Sequence, residues 1–188
     1  GVSVRNDDCY DVPPDGATVY PGAPEIVGNL RDDDCDGTEG CYLDGDGDRY
    51  GRNVFAFSQS LTCDQPGFAP VNTDCNDAVA AINPGAADVP ADGVDTNCDF
   101  KEDCYVDADS DKFGRATITQ SVDLLCLALG VANNDDDCND VLPGGNFVYP
   151  GAQEVPGDGI DQDCNGAETC FVDADRDTWG GTGTTESF

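Results

Sequence analysis

Three stretches of this sequence place aspartates at every second position: Asp44, Asp46 and Asp48; Asp107, Asp109 and Asp111; Asp173, Asp175 and Asp177. Carboxylates at positions one, three and five of a tight loop, followed by a backbone carbonyl at position seven, form the first half of a calcium loop of the EF-hand type. Position seven is Tyr50, Phe113 and Trp179 in turn. The second half is missing. Where an EF-hand carries its bidentate glutamate stand Phe55, Ile118 and Thr184, and position six is Arg49, Lys112 or Thr178 rather than glycine. The remaining carboxylates must come from elsewhere. One supplier is a D-C-x-D segment: Asp74 and Asp77, Asp137 and Asp140, Asp8 and Asp11. Another is an acidic loop: Asp92, Asp95, Asn97 and Asp99, then Asp158, Asp161, Asp163 and Asn165. Its degenerate first copy holds Asn29, Asp32, Asp34 and Asp36. These segments either complete the first loops or build separate sites.

Every donor in these runs is a hard oxygen, a set that suits Ca²⁺ better than Mg²⁺, which keeps several waters and takes fewer carboxylates. The chain has no His and no Met, the usual donors to copper and, for His, to zinc. One such run alone is often only a solvated loop. Three in register, each beside further acids in register, point to ion binding. Electrostatics agrees: 39 acidic residues against 8 basic ones, a formal charge of −31, repel one another in any compact state unless cations intervene.

The aspartates belong to a repeat. Cys41, Cys63 and Cys75 recur at Cys104, Cys126 and Cys138, each a shift of 63 residues. The interval from Cys75 to Cys98 becomes three residues longer between Cys138 and Cys164, and the extra residues near Gly144-Gly145-Asn146 read as a loop insertion. Residues 41–103 and 104–169 are two full modules; residues 1–40 are the end of a module and 170–188 the beginning of one. Within a module, the acidic run is followed by a strand-like stretch (53–63, 116–126), the D-C-x-D segment, a Pro-Gly-Ala turn and the acidic loop. No sustained helical period occurs; the segment through Val79–Ile82 is expected to form one helical turn. Aromatics recur at Tyr42, Tyr50, Tyr105, Phe113, Phe171 and Trp179 and are expected to form each module's small core.

Composition limits what can hold such modules together. Leu, Ile, Val and Phe number 37 of 188 residues, too few for one large core at this charge. Eleven cysteines, with no C-x-x-C pair, indicate disulfides and an oxidising compartment rather than a zinc site. Two pairing schemes are open. One leaves Cys170 over and forms Cys9–Cys35, Cys41–Cys63, Cys75–Cys98, Cys104–Cys126 and Cys138–Cys164. The other leaves Cys9 over. The first closes each acidic segment into its own loop and is the expected one. The fold class is thus small disulfide- and calcium-stabilised repeat modules, mostly loops and turns with short β-strands, in a linear array with little helix.

The ordered pattern D-x-D-x-D-x-[YF]-G, D-C-[ND]-D, [YN]-P-G-A-x-E and D-G-x-D-x-D-C-[ND]-G resembles the bacterial metal-binding motif repeats of the MopE type. The resemblance covers almost the whole chain. It implies secreted or surface-bound, calcium-stabilised, loop-rich modules in which the Asp positions above are ligands. It departs from that pattern at Val27, Pro90 and Pro156, where the family often has cysteine.

The expected function is an extracellular or cell-surface structural array, a filament or stalk, with calcium ions as its partners. Residues 1–3 align with 130–132 and Phe188 with Val122, which leaves a gap of seven residues between end and start. A continuing repeat chain, or subunits associating head to tail, would produce that gap. The alternative is an adhesin-like or docking module for glycan or protein. Catalysis is not expected, since the absence of His removes most acid–base and nucleophile relays. The negative charge excludes nucleic acid and anionic membranes, and no apolar run is long enough for membrane insertion.

Overall fold

In the two complete modules a five-residue strand is centred on a buried cystine residue, Cys41 or Cys104. The computed structural model describes residues 5–188. Strand β1 is Glu39–Leu43, β2 is Arg52–Ser58 and β3 is Phe68–Ala69. They form an antiparallel sheet in the order β2-β1-β3. Strands β4 (Glu102–Val106), β5 (Arg115–Ser121) and β6 (Val131–Ala132) repeat it as β5-β4-β6. Strands β7 (Glu168–Phe171) and β8 (Thr184–Ser187) pair as a two-stranded copy. The stretches 53–63 and 116–126 supply one strand each, β2 and β5.

Contacts divide the chain into two compact units, one running to Ala87 and including Thr96–Asp99, the other comprising Asp88–Asp95 and Phe100–Phe188. The match of residues 1–3 to 130–132 lies outside the described residues.

The DxDxD loop is the connection from β1 to β2, and from β4 to β5. Pairing slips after Tyr42 and after Tyr105, so that Leu43 faces Arg52 and Val106 faces Arg115. At that slip a Cβ on Gly51 would stand 2.7 Å from the Leu43 carbonyl oxygen, and one on Gly114 2.8 Å from that of Val106. The glycine that ends the aromatic-Gly pair is therefore required by close approach of backbone to backbone.

The disulfides are Cys9–Cys35, Cys41–Cys63, Cys75–Cys98, Cys104–Cys126 and Cys138–Cys164, with Cys170 free. These are the pairs of the first scheme. Cys41, Cys63, Cys104 and Cys126 are fully buried and form the core with Val19, Ala69, Ala132, Val148 and Ala167. The aromatics do not form it. Tyr42, Tyr50, Tyr105 and Phe113 are half-buried, and Phe171 and Trp179 are exposed. A single small sheet presents no second layer to enclose a large ring, so only the cystine and small side chains become fully covered.

Helical structure is limited, among the described residues, to 3₁₀ turns at Asp15–Thr18 and Gly145–Phe147. Both lie in modules with the longer cysteine spacing, and the second is the three-residue insertion itself. Val79–Ile82 makes turns but no helix.

Replacing Cys104 and Cys126 together by Ser should cost about 3 kcal/mol, the loop-entropy value for a separation of 22 residues. Chemical denaturation checks this; a loss under 1 kcal/mol would show that the sheet holds without its cystine.

Candidate metal centres

The DxDxD loops wrap because their first aspartate accepts the backbone amides that follow. Asp44 Oδ1 accepts from Gly47 N (2.6 Å) and Oδ2 from Arg49 N (3.0 Å), and Asp48 Oδ1 accepts from Tyr50 N (2.8 Å). Asp107 does the same with Ser110 N and Lys112 N, and Asp173 with Arg176 N and Thr178 N. These bonds require left-handed backbone at positions four and six. Arg49, Lys112 and Thr178 have φ of 79°, 83° and 79°, so position six takes the glycine-like conformation without the glycine.

The D-C-x-D segment is hung on this loop. Gly51 O accepts from Asp74 N (3.2 Å) and Gly114 O from Asp137 N (3.0 Å). Asp77 Oδ1 accepts from Gly45 N (2.5 Å), and Asp140 Oδ1 accepts from the amides of Ala108 and Asp109. Asp44, Asp46, Asp48, Asp74 and Asp77 thus converge within the first unit. Asp107, Asp109, Asp111, Asp137 and Asp140 converge within the second.

Convergence leaves carboxylate oxygens without protein partners. Both oxygens of Asp46 and both of Asp109 are buried without a hydrogen bond of good geometry, as is one oxygen each of Asp48, Asp74, Asp111 and Asp137; the nearby amides of Asp48 and Asp111 offset only part of the burial at Asp46 and Asp109. Burial, then the charges of Asp111 and Asp137, push Asp109 up to about 6. Burial and the charge of Asp48 raise Asp46 and Asp74 as well. An all-oxygen set with buried, unsatisfied carboxylates fits a hard divalent cation, which would balance charges that the protein leaves unopposed.

The acidic loops repeat the design. Asp32 accepts from Asp36 N and Gly37 N, Asp161 from Asn165 N and Gly166 N, and Asp95 from Phe100 N. Position four is a cystine residue, Cys35, Cys98 or Cys164, with φ of 55–59°. Each cystine therefore pins an acidic loop to the D-C-x-D segment of its own module. Asp99 N donates to Asn97 Oδ1, and Asp36 caps Thr38. Asp163 accepts from Asn165.

Sequence reasoning missed two ligand-type positions here. The acid of the Pro-Gly-Ala turn joins the loop: Glu25, Asp32 and Asp34 bring oxygens within 4.8 Å of one another, and Glu25 Oε2 is buried without a partner. Glu25 Oε1 and Glu154 Oε1 each accept two loop amides. The second is Glu39, Glu102 and Glu168, two residues before a repeat cysteine. Glu39 is wholly buried and accepts from Gly28 N and Arg31 N. Glu102 is also wholly buried, and neither of its oxygens has a hydrogen bond of good geometry. Burial, then the charges of Asp92 and Asp88, raise its pKa, and the nearby amides of Ala91 and Asp92 offset part of this. The register of E-x-C was visible in the sequence.

Asp92 and Asp158 cap turns at Val94 N and Ile160 N. Asp8 caps Tyr10 N in an exposed segment with Asp11. Asp173, Asp175 and Asp177 lie in an exposed loop.

Asp109 carries a pH signature. Its carboxyl titrates near 6 when folded and near 3.8 when unfolded, so the folded state holds the extra proton between those values. In chelator, its contribution to stability therefore falls as pH rises from about 4 to 6. Asp109→Asn should flatten that fall and be the more stable protein at pH 7 without metal. Superimposable thermal-unfolding profiles of the two proteins across this range would contradict the assignment.

The family model described as "Putative metal-binding motif", of the MopE type, matches residues 8–39, 74–103 and 146–168. No curated protein and no solved structure matches the chain. Each matched segment ends at or just past the glutamate of E-x-C and contains the Pro-Gly-Ala turn and the acidic loop. The DxDxD loops at 44–50, 107–113 and 173–179 lie outside the matched residues. The chain thus carries three copies of this motif, consistent with its resemblance to the MopE-type metal-binding repeats.

Proposed function

We propose that this chain is an extracellular, non-catalytic, calcium-binding structural repeat protein whose modules are held by disulfides and by Ca²⁺. The observation that carries the metal is the pair of aspartates, Asp46 and Asp109, with both carboxylate oxygens buried and lacking well-aligned donors inside clusters of like charge. The choice of calcium rests on donor chemistry. The family name points to copper, but copper prefers imidazole, thiolate or thioether ligands. This chain has neither His nor Met, and ten of its eleven cysteines are consumed in disulfides. Carboxylate-rich, oxygen-only loops of this size suit Ca²⁺.

Five disulfides favour an oxidising, extracellular setting, and no helix among the described residues is long and apolar enough to cross a membrane. Recurrence of both loop types in register favours a spacer or fibre over a ligand-specific site, because a recognition surface would break the symmetry. In this reading the repeats build a filament or cell-surface stalk, extended by further repeats or by head-to-tail association.

Thermal unfolding of chelated protein with added ions tests the metal. Ca²⁺ at a hundred times its dissociation constant should stabilise by about 2.7 kcal/mol per occupied site, with Mg²⁺ and Cu²⁺ clearly less effective at equal concentration. An unfolding curve indifferent to Ca²⁺, or stabilised more by Cu²⁺, would overturn the proposal.

A further inference from the structure

The two complete DxDxD clusters share their ligands but not their surroundings. In the second unit Asp107, Asp109, Asp137 and Asp140 are all buried, and Asp109 is 7% exposed with both oxygens lacking well-aligned donors. The inserted 3₁₀ turn lies directly against it. A Cβ on Gly145 would stand 2.1 Å from Asp109 Oδ2 and 2.2 Å from the Asn139 carbonyl oxygen. The turn is anchored by Gly145 N donating to Val141 O (3.1 Å). Asp140 Oδ1 receives two amides.

In the first unit the insertion is absent; Asp44 is buried like Asp107, but Asp46, Asp48, Asp74 and Asp77 are half-buried, whereas of their counterparts in the second unit only Asp111 is. Asp77 Oδ1 receives one amide, and Oδ2 faces the guanidinium of Arg52, with Nε at 3.4 Å. Arg115 occupies the matching place in the second unit, yet no ion pair joins it to Asp140 among the described residues.

Resting on the calcium reading above, we infer that the two clusters are cation sites of different strength: a tight one at Asp109, covered by the inserted turn, and a weaker one at Asp46, where Arg52 competes with the ion for Asp77. Excluding water strengthens every charge interaction in the more fully covered site, while a cation entering the less covered site must displace a protein cation from one of its ligands. Arg52 is more than half exposed, so its competition is modest. The cover contributes more, because groups that orient a ligand commonly alter metal affinity by about 10- to 100-fold. A three-residue insertion thereby grades affinity along the chain without changing one ligand.

Calorimetric Ca²⁺ titration of the intact, disulfide-bonded chain tests this. Asp109→Asn should abolish the tighter class and Asp46→Asn a class at least about tenfold weaker. Arg52→Gln should tighten only the weaker class, by about two- to fivefold. Gly145→Ala should weaken only the tighter one; if that variant does not fold, the Asp109→Asn and Arg52→Gln titrations decide. Equal constants at the two sites, or loss of the tighter class in Asp46→Asn, would overturn this inference while leaving calcium binding intact. No heat of Ca²⁺ binding in the parent protein would overturn the calcium reading as well.

Discussion

Mutual repulsion of five aspartates gathered at one point is the constraint on which each complete module depends. The backbone satisfies some of their oxygens by turning its amides inward, but it leaves both oxygens of Asp46 and of Asp109 without a well-aligned donor. Desolvation makes this arrangement unfavourable when the carboxylates are ionised, as the upward displacement of Asp109 to about 6 records. A hydrophobic core cannot outweigh it, since the core amounts to cystines, a few alanines and valines, and little else. A cation with several oxygen ligands removes the repulsion and satisfies the orphaned oxygens together.

The cystines prepare that arrangement before any ion arrives. Cys75–Cys98 and Cys138–Cys164 join a D-C-x-D segment, which faces the DxDxD cluster, to an acidic loop bearing the cystine at its fourth position. The second cysteine of every bridge has positive φ, between 51° and 59°. Such backbone costs roughly 1–2 kcal/mol per residue for an L-amino acid, and the loop entropy removed by each bridge, about 3 kcal/mol, offsets it. Cross-link, left-handed residue and acidic turn thus form one device, repeated at Cys35, Cys98 and Cys164.

Much of this was legible in the sequence because the device is made of spaced, rare residues. Cysteine register narrowed the pairs to two schemes, of which loop closure favoured the observed one, and Asp44, Asp46, Asp48, Asp74 and Asp77 stand out because they recur 63 residues later. Less visible were Glu39 and Glu102. An isolated glutamate between motifs reads as a solvated surface residue, and full burial of one is rare enough that its E-x-C register drew no notice. Strands β1 and β4 are hidden for a related reason: each is five residues long and straddles the boundary between two repeats, although pairing with β2 and β5 is what aims the DxDxD loop. The aromatics misled in the other direction, because recurrence marked them as core where the small sheets have no second layer to enclose them. The 3₁₀ turn at Gly145–Phe147 was visible only as three extra residues, and its contact with Asp109 depends on the tertiary path.

The most direct test of the central claim is anomalous X-ray scattering from crystals grown with Ca²⁺ and measured at a wavelength where calcium contributes. The account predicts an anomalous peak between Asp46, Asp48 and Asp74, and another between Asp109, Asp111 and Asp137, each ringed by oxygens alone at about 2.4 Å. Carboxylates there held by water alone, with no peak under saturating Ca²⁺, would contradict it.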